Sequence, residues 1–211
     1  MRVYPNIENQ KIELDVLLKG FHKRALLTKS VLSYPEDPNN RVFYVTSGCL
    51  RVFLSYGDKV FTLAFLKPGD IYCTHTRAFV EAIEESQVYT CDLQTFAQRV
   101  QLHPQLSGAI TRVLSTTLAG CIDTIENLAF RDVRARFACF LLSQIPNEET
   151  EFPFIISLPF SIELLAQSIG TSRQTLSSLI SDMQKSEILQ RQEKGKLLIF
   201  NQEKLKKHAF L

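Results

Sequence analysis

Apolar and polar positions change rhythm along the chain. Up to residue 100 the apolar residues fall in short runs: RVFYVT (41–46), LRVFLSY (50–56), KVFTLAFL (59–66), FVEAI (79–83) and QVYTCDL (87–93). β-Branched and aromatic residues are frequent in them. Turn-forming stretches lie between: EDPNN, SG, YGD, KPGD and EES. This pattern predicts about eight short strands in an antiparallel β-roll or jelly-roll barrel. From Leu106 the period lengthens. Leu106, Ile110, Val113, Leu114, Leu118, Cys121, Ile122, Ile125 and Leu128 recur at three- and four-residue spacing. They predict one helix of about seven turns across 104–129, with Pro104 in its first turn. So long a stripe exceeds what a small barrel needs to cover itself. It suits a core helix packed on the barrel, or a helix paired with its copy in a second chain as a two-stranded coiled coil, and different faces can do both.

After residue 131 the rhythm changes again. Asp132 is placed to cap a helix through VRARFACFLLSQ, IPNEETEFPF reads as a loop, and ILQRQEKGKLLIFN reads as a β-hairpin turning at Glu-Lys-Gly-Lys. The predicted fold class is therefore α+β. An antiparallel β-roll or jelly-roll domain occupies 1–103, a long dimerisation helix and hinge 104–131, and a winged helix-turn-helix domain 132–211.

The helix-turn-helix is the most specific signal. In SIELLAQSIGTSRQTLSSLISDMQKSEIL, Ser161 predicts an N-cap, and Ile162, Leu164, Leu165 and Ile169 form one apolar face. Gly170 then breaks the helix in a tight turn. Thr171 is predicted to cap a second helix, with Gln174 completing a T-x-x-Q capping box. Leu176, Leu179, Ile180 and Met183 supply its buried side. Thr171, Ser172, Arg173, Gln174, Ser177 and Ser178 are the candidate DNA-binding residues. Arg can hold a guanine edge and Gln an adenine edge in bidentate fashion, while small hydroxyls approach phosphates without steric cost. A helix-turn-helix of this kind commonly reads palindromic double-stranded DNA as a dimer, and the long stripe offers the dimer seam.

Composition refines this picture only slightly. Hydrophobic residues are 45% and charged residues 22% of 211, as in an ordinary globular chain. Net charge is +2, so bulk charge alone does not mark a nucleic-acid binder. Residues 1–130 balance 13 basic against 13 acidic side chains, whereas 161–211 hold 8 against 5. No apolar run is long enough for a membrane span, and MRVYPNIENQKIE lacks the apolar core of an export signal, so a cytoplasmic protein without a membrane partner is expected. The cysteines at 49, 73, 91, 121 and 139 are scattered and odd in number, which points to free thiols. No P-loop, GxGxxG or nucleophile–base constellation stands out, and the four histidines are dispersed. An enzyme is not expected.

One short stretch remains, GDIYCTHTRAF (69–79). Cys73 and His75 are two residues apart beyond a Gly-Asp turn. If 71–76 is extended, they point to the same side about 7 Å apart. On residue chemistry alone they are packed residues, half of a metal site, or alternative ligands of one metal.

A β-barrel, a long helix and a winged helix-turn-helix, in that order, resemble the CRP/FNR family of bacterial transcription regulators across essentially the whole chain. The turn at Gly69-Asp70, the hinge FRDVRARFACFL (130–141) and IGTSRQTLSSLI (169–180) carry the resemblance. Within the family the chain looks most like the haem-containing, carbon monoxide-sensing CooA branch, through RVFLSY, FTLAFLKPGDIYCTHTRAFVEA, CIDTIENLAFRDVRARFACFLL and SRQT. It departs from cyclic-nucleotide members, since the only Arg after Gly69-Asp70 in this loop is Arg77, and from iron–sulfur members, since its first cysteine is Cys49.

The resemblance implies a transcription activator that binds one haem b per subunit, works as a homodimer and acts with RNA polymerase. Cys73 would be the axial ligand of ferric haem and His75 that of ferrous haem. An N-terminal nitrogen of the partner subunit would lie opposite. Arg2 is bulky enough to block removal of Met1, and Pro5 is an internal tertiary amide, so the α-amine of Met1 would be the candidate for this role, with His22 and His103 as alternatives. His208 in the tail is expected in solvent. Carbon monoxide would displace the amine and be received beside Thr111, Leu114, Ser115 and Leu118. The hinge Phe130, Arg131 and Asp132 would then redirect the recognition helices. A regulator of the same fold with another effector (redox chemistry at Cys73, an organic ligand, another gas) is the alternative.

Overall fold

The alternating runs of the first hundred residues fold as two four-stranded antiparallel sheets. The structure, a computed structural model, describes residues 18–74, 76–103, 105–146, 151–158 and 161–209. Its strands are β1 (His22–Leu26), β2 (Val31–Ser33), β3 (Arg41–Ser47), β4 (Leu50–Tyr56), β5 (Lys59–Leu66), β6 (Ile71–Cys73), β7 (Phe79–Ala82) and β8 (Ser86–Asp92). One sheet has the order β1-β8-β3-β6 and the other β2-β7-β4-β5. Their inner faces share one core that includes Phe43, Val45, Leu50, Val52, Leu66, Tyr72, Val80 and Val88. Side chains alternate across a strand. Val42 and Tyr44 on β3 therefore leave this core and join two apolar clusters on the opposite face.

The strand β8 is followed by α1 (Leu93–Leu102), which strand-like alternation in QVYTCDL conceals. Asp92 ends the strand and caps the helix: its carboxylate accepts from the Thr95 amide at 2.7 Å and from the Thr95 hydroxyl at 2.9 Å. The Thr95 amide, first among these bonds, holds the carboxyl of Asp92 below its ordinary range. The long helix α2 runs Gln105–Phe130, close to the predicted span. The chain divides within it, between Ile122 and Asp123, into two compact units.

The C-terminal unit continues with α3 (Val133–Ser143), β9 (Phe154–Ser157), α4 (Ile162–Ser168), α5 (Arg173–Lys185), β10 (Leu189–Arg191), β11 (Lys196–Ile199) and α6 (Gln202–Ala209). Asp132 caps α3 as predicted, accepting from the Ala135 amide at 2.7 Å. The hairpin β10–β11 pairs Leu189 with Ile199 and turns through Glu193–Gly195. Its third strand, β9, starts at the end of the segment read as a loop and pairs with β11. Phe137, Leu141, Leu165, Leu176, Ile180, Met183, Leu197 and Leu205 close one core around which these elements are arranged.

Candidate functional site

In the C-terminal unit, a polar helix start is presented by a tightly closed turn. Ser161 caps α4, its hydroxyl accepting from the Leu164 amide at 3.2 Å. Gly170 follows with φ of 70°, a conformation that glycine adopts without strain. The Thr171 amide then donates back to Ala166 O at 2.9 Å, the bond that closes a helix C-terminus around a left-handed glycine. This corrects the predicted cap. Thr171 belongs to the end of α4, and Ser172 is the N-cap of α5, accepting from the Thr175 amide at 3.1 Å. The Ser172 and Thr175 hydroxyls share a further bond of 2.8 Å, so Gln174 is no part of a capping box.

The candidate DNA-binding residues keep the expected polarity. Ser172, Arg173, Gln174 and Ser178 are exposed, Thr171 and Ser177 are half-buried, and Leu176, Leu179, Ile180 and Met183 are buried. The side chains that would read base edges stand at the first turn of α5, while the opposite side anchors that turn to the core.

At the predicted hinge, Phe130 is exposed and ends α2. Arg131 donates to Asn127 Oδ1 at 2.7 Å and pairs with Glu126 at 3.3 Å. Asp132 begins α3. One residue in this segment escapes the motif-based reading. Arg136 reaches from α3 to the helix-turn-helix turn, a contact marked in the sequence only by an arginine among the apolar positions of VRARFACFLL.

In the N-terminal unit, Cys73 closes β6. Val42 on β3 faces Cys73 on one side and Cys91 on the other. Cys73 is half-buried against a cluster that includes Phe21, Val42, Tyr89, Cys91 and Phe96. The regular strand covers only Ile71–Cys73 of this stretch. The strand ends at Cys73, the Thr74 amide and hydroxyl bond to the backbone of Arg41, and the Thr76 amide donates to Thr74 O at 2.7 Å. The Thr74 amide still reaches Arg41 O on β3, but the Arg41 amide is taken by the Thr74 hydroxyl and Thr74 O by the Thr76 amide, so no return bond continues the ladder. His75 and Met1 lie outside the described residues.

On α2, Thr111, Leu114, Ser115 and Leu118 are all exposed, and the Thr111 hydroxyl donates to Ser107 O at 2.9 Å. His22 is exposed on β1, and His103 is half-buried at the end of α1. His208 is half-buried near the end of α6, and its Nδ1 is enclosed in protein, against the expectation of a solvated side chain. Among the described residues no three His, Cys, Asp or Glu side chains converge, and no helix is long and apolar enough to cross a membrane.

The thiols are unequal. Burial pushes Cys49 up to about 11 and Cys91 up to about 12, so both stay protonated near neutral pH. Both are also almost wholly covered. Iodoacetamide at pH 8 is therefore expected to leave Cys49 and Cys91 unmodified in the native protein and to modify both in denaturant, as peptide mass mapping can check. Native labelling of either would contradict the buried placement.

The comparisons with known proteins agree with this architecture. A model of the Crp-like helix-turn-helix domain matches residues 135–208. The global nitrogen regulator of Synechococcus elongatus is 25% identical over 181 residues, covering 80% of this chain and 81% of that protein. The structure of a CooA mutant from Carboxydothermus hydrogenoformans is 34% identical, covers 99% of this chain and 96% of that one, and superposes with a TM-score of 0.86. The chain belongs to the CRP/FNR family. The reduced, Fe(II) CO-sensing protein from R. rubrum is 32% identical, with coverages of 98% and 99% and a TM-score of 0.56. As a CRP/FNR member this chain is a DNA-binding transcription regulator and not an enzyme.

Proposed function

We propose that this regulator is a haem-dependent, carbon monoxide-responsive activator that binds palindromic DNA as a homodimer. The observation that carries the proposal is the 34% identity and near-complete coverage with a CooA structure. The donor set in the N-terminal unit supports it. An iron-bound cysteine is a thiolate. Cys49 and Cys91 are poor candidates, because burial favours their neutral thiols. Cys73 stands at a strand end, half open, with apolar neighbours that would keep water from a metal–sulfur bond. A haem asks only for axial ligands from the protein, so a cluster of three protein donors is not required.

Cys73 would hold the ferric state and His75 the ferrous state, because an anionic thiolate suits the more positive iron and a neutral imidazole the less positive one. The α-amine of Met1, from the partner subunit, would supply a further nitrogen donor. One haem b per subunit would supply a ferrous iron able to take carbon monoxide. Thr111, Leu114, Ser115 and Leu118 would shape the space around the gas with apolar methyls and two small hydroxyls. The exposed stripe on α2 would pair with its copy, and Phe130–Asp132 would redirect the recognition helices. The effector can shift this equilibrium only by its differential affinity for the two states. RNA polymerase would be the partner in activation.

The deciding experiment is an absorption spectrum of the purified protein as isolated, after dithionite, and after dithionite with carbon monoxide. The expected result is a Soret band that shifts on reduction and again with the gas. Cys73→Ser is expected to alter the oxidised spectrum and His75→Ala the reduced one. No Soret band, even after haem is added, would overturn the haem proposal and leave a CRP/FNR regulator with another effector, Cys73 then being a packed core residue or a redox thiol.

A further inference from the structure

Arg136 lies on the first turn of α3, four residues after the capping Asp132. Its guanidinium donates to three backbone carbonyls. Nη1 reaches Arg131 O at 2.8 Å, Nε reaches Ile169 O at 2.7 Å, and Nη2 reaches Gly170 O at 3.2 Å. These carbonyls share a physical problem. Arg131 follows the last residue of α2, and Ile169 and Gly170 follow the last residue of α4. Carbonyls at helix ends lack intrahelical donors and carry the negative end of the helix dipole. A cationic, planar fork of donors answers both needs at once, and an ammonium cannot reproduce its directions.

What the fork joins has a functional consequence. Arg131 is in the hinge, and Gly170 is the turn of the helix-turn-helix. Ser172, Arg173 and Gln174 follow that turn directly. We propose that Arg136 is a positioning residue for DNA recognition, tying the turn to the hinge so that the start of α5 takes its direction from the end of α2. A bidentate contact to a base edge is directional, so loosening the turn degrades sequence reading more than it degrades attraction to phosphates. The proposal rests on DNA binding by this unit and is independent of the effector.

The test uses the full-length protein, with Arg136→Met and Arg136→Lys beside the wild type. A duplex is first selected by the wild type from a random-sequence library, under whichever condition, with or without reductant and carbon monoxide, the wild type selects one. Affinities for this duplex and for a scrambled one are measured by fluorescence anisotropy, well below each variant's unfolding temperature. The expected result for Arg136→Met is a loss of about tenfold or more on the selected duplex, comparable to weakening one bidentate base contact. Binding to the scrambled duplex should change by roughly threefold at most, the scale of one altered charge. Arg136→Lys keeps the charge and should still lose selectivity. A merely structural role would lower the unfolding temperature and leave selectivity intact in the folded protein, and that result overturns the proposal. Should Arg136→Met fail to fold, Arg136→Lys decides: wild-type selectivity in it overturns the proposal.

Discussion

Replacing Leu118 and Ile125 together by glutamate converts the dimer to monomers and weakens binding to the selected duplex by about 100-fold or more, the scale on which two linked half-site contacts exceed one. The expectation comes from the face of α2. Leu114, Leu118 and Ile125 are 64%, 62% and 65% exposed in the isolated chain, an unusual state for large aliphatic side chains. Thr111, Leu118 and Ile125 recur every seven residues, and so do Leu114, Cys121 and Leu128. Two such series interleaved at three and four residues form the seam of a two-stranded coiled coil. Glutamates facing each other there would be desolvated without a partner and would repel. Sedimentation velocity reads the assembly, and anisotropy on the selected duplex reads the DNA affinity. A double variant that still sediments as a dimer would place the seam elsewhere.

Phe137→Ala is expected to cost about 3–5 kcal/mol. Phe137 is fully buried in the core that holds α3, α4 and α5 together. Truncation leaves a cavity in a closed core, whose side chains have few alternative packings. Domains are stable by only about 5–15 kcal/mol, so the loss removes much of the margin. Scanning calorimetry should show a transition lowered by roughly 15 °C or more. Phe137→Leu, which keeps most of the volume, should move it much less. An unshifted transition in Phe137→Ala would mean that this core does not limit the unit's stability.

Much of the architecture was legible beforehand because it depends on neighbours in the chain. β3, β4 and β5 fall on the runs that alternation marks, and β4 and β5 match them residue for residue. Ser161 and Asp132 cap their helices because a short polar side chain needs only the amide three residues on. The misses occur where two local signals compete. Thr171 and Ser172 are both good caps, and the choice fell to Ser172 because the Thr171 amide closes the end of α4. Leu93 extends the strand alternation of 87–92, yet Asp92 had the donors to begin a helix there.

By itself, then, the sequence determined the strands, the helix stripe, the glycine turn and the polar start of the recognition helix. Each of these is set by interactions within about four residues or by a strict period. Only the tertiary structure decided what lies across the fold. It set Cys73 and Cys91 on either side of Val42, left Cys49 and Cys91 buried with raised pKa values, and brought Arg136 to Ile169 and Gly170. The physical reason is distance along the chain. A thiol's ionisation depends on which strands cover it, and a guanidinium's partners on how one helix packs against another, and no local pattern encodes either.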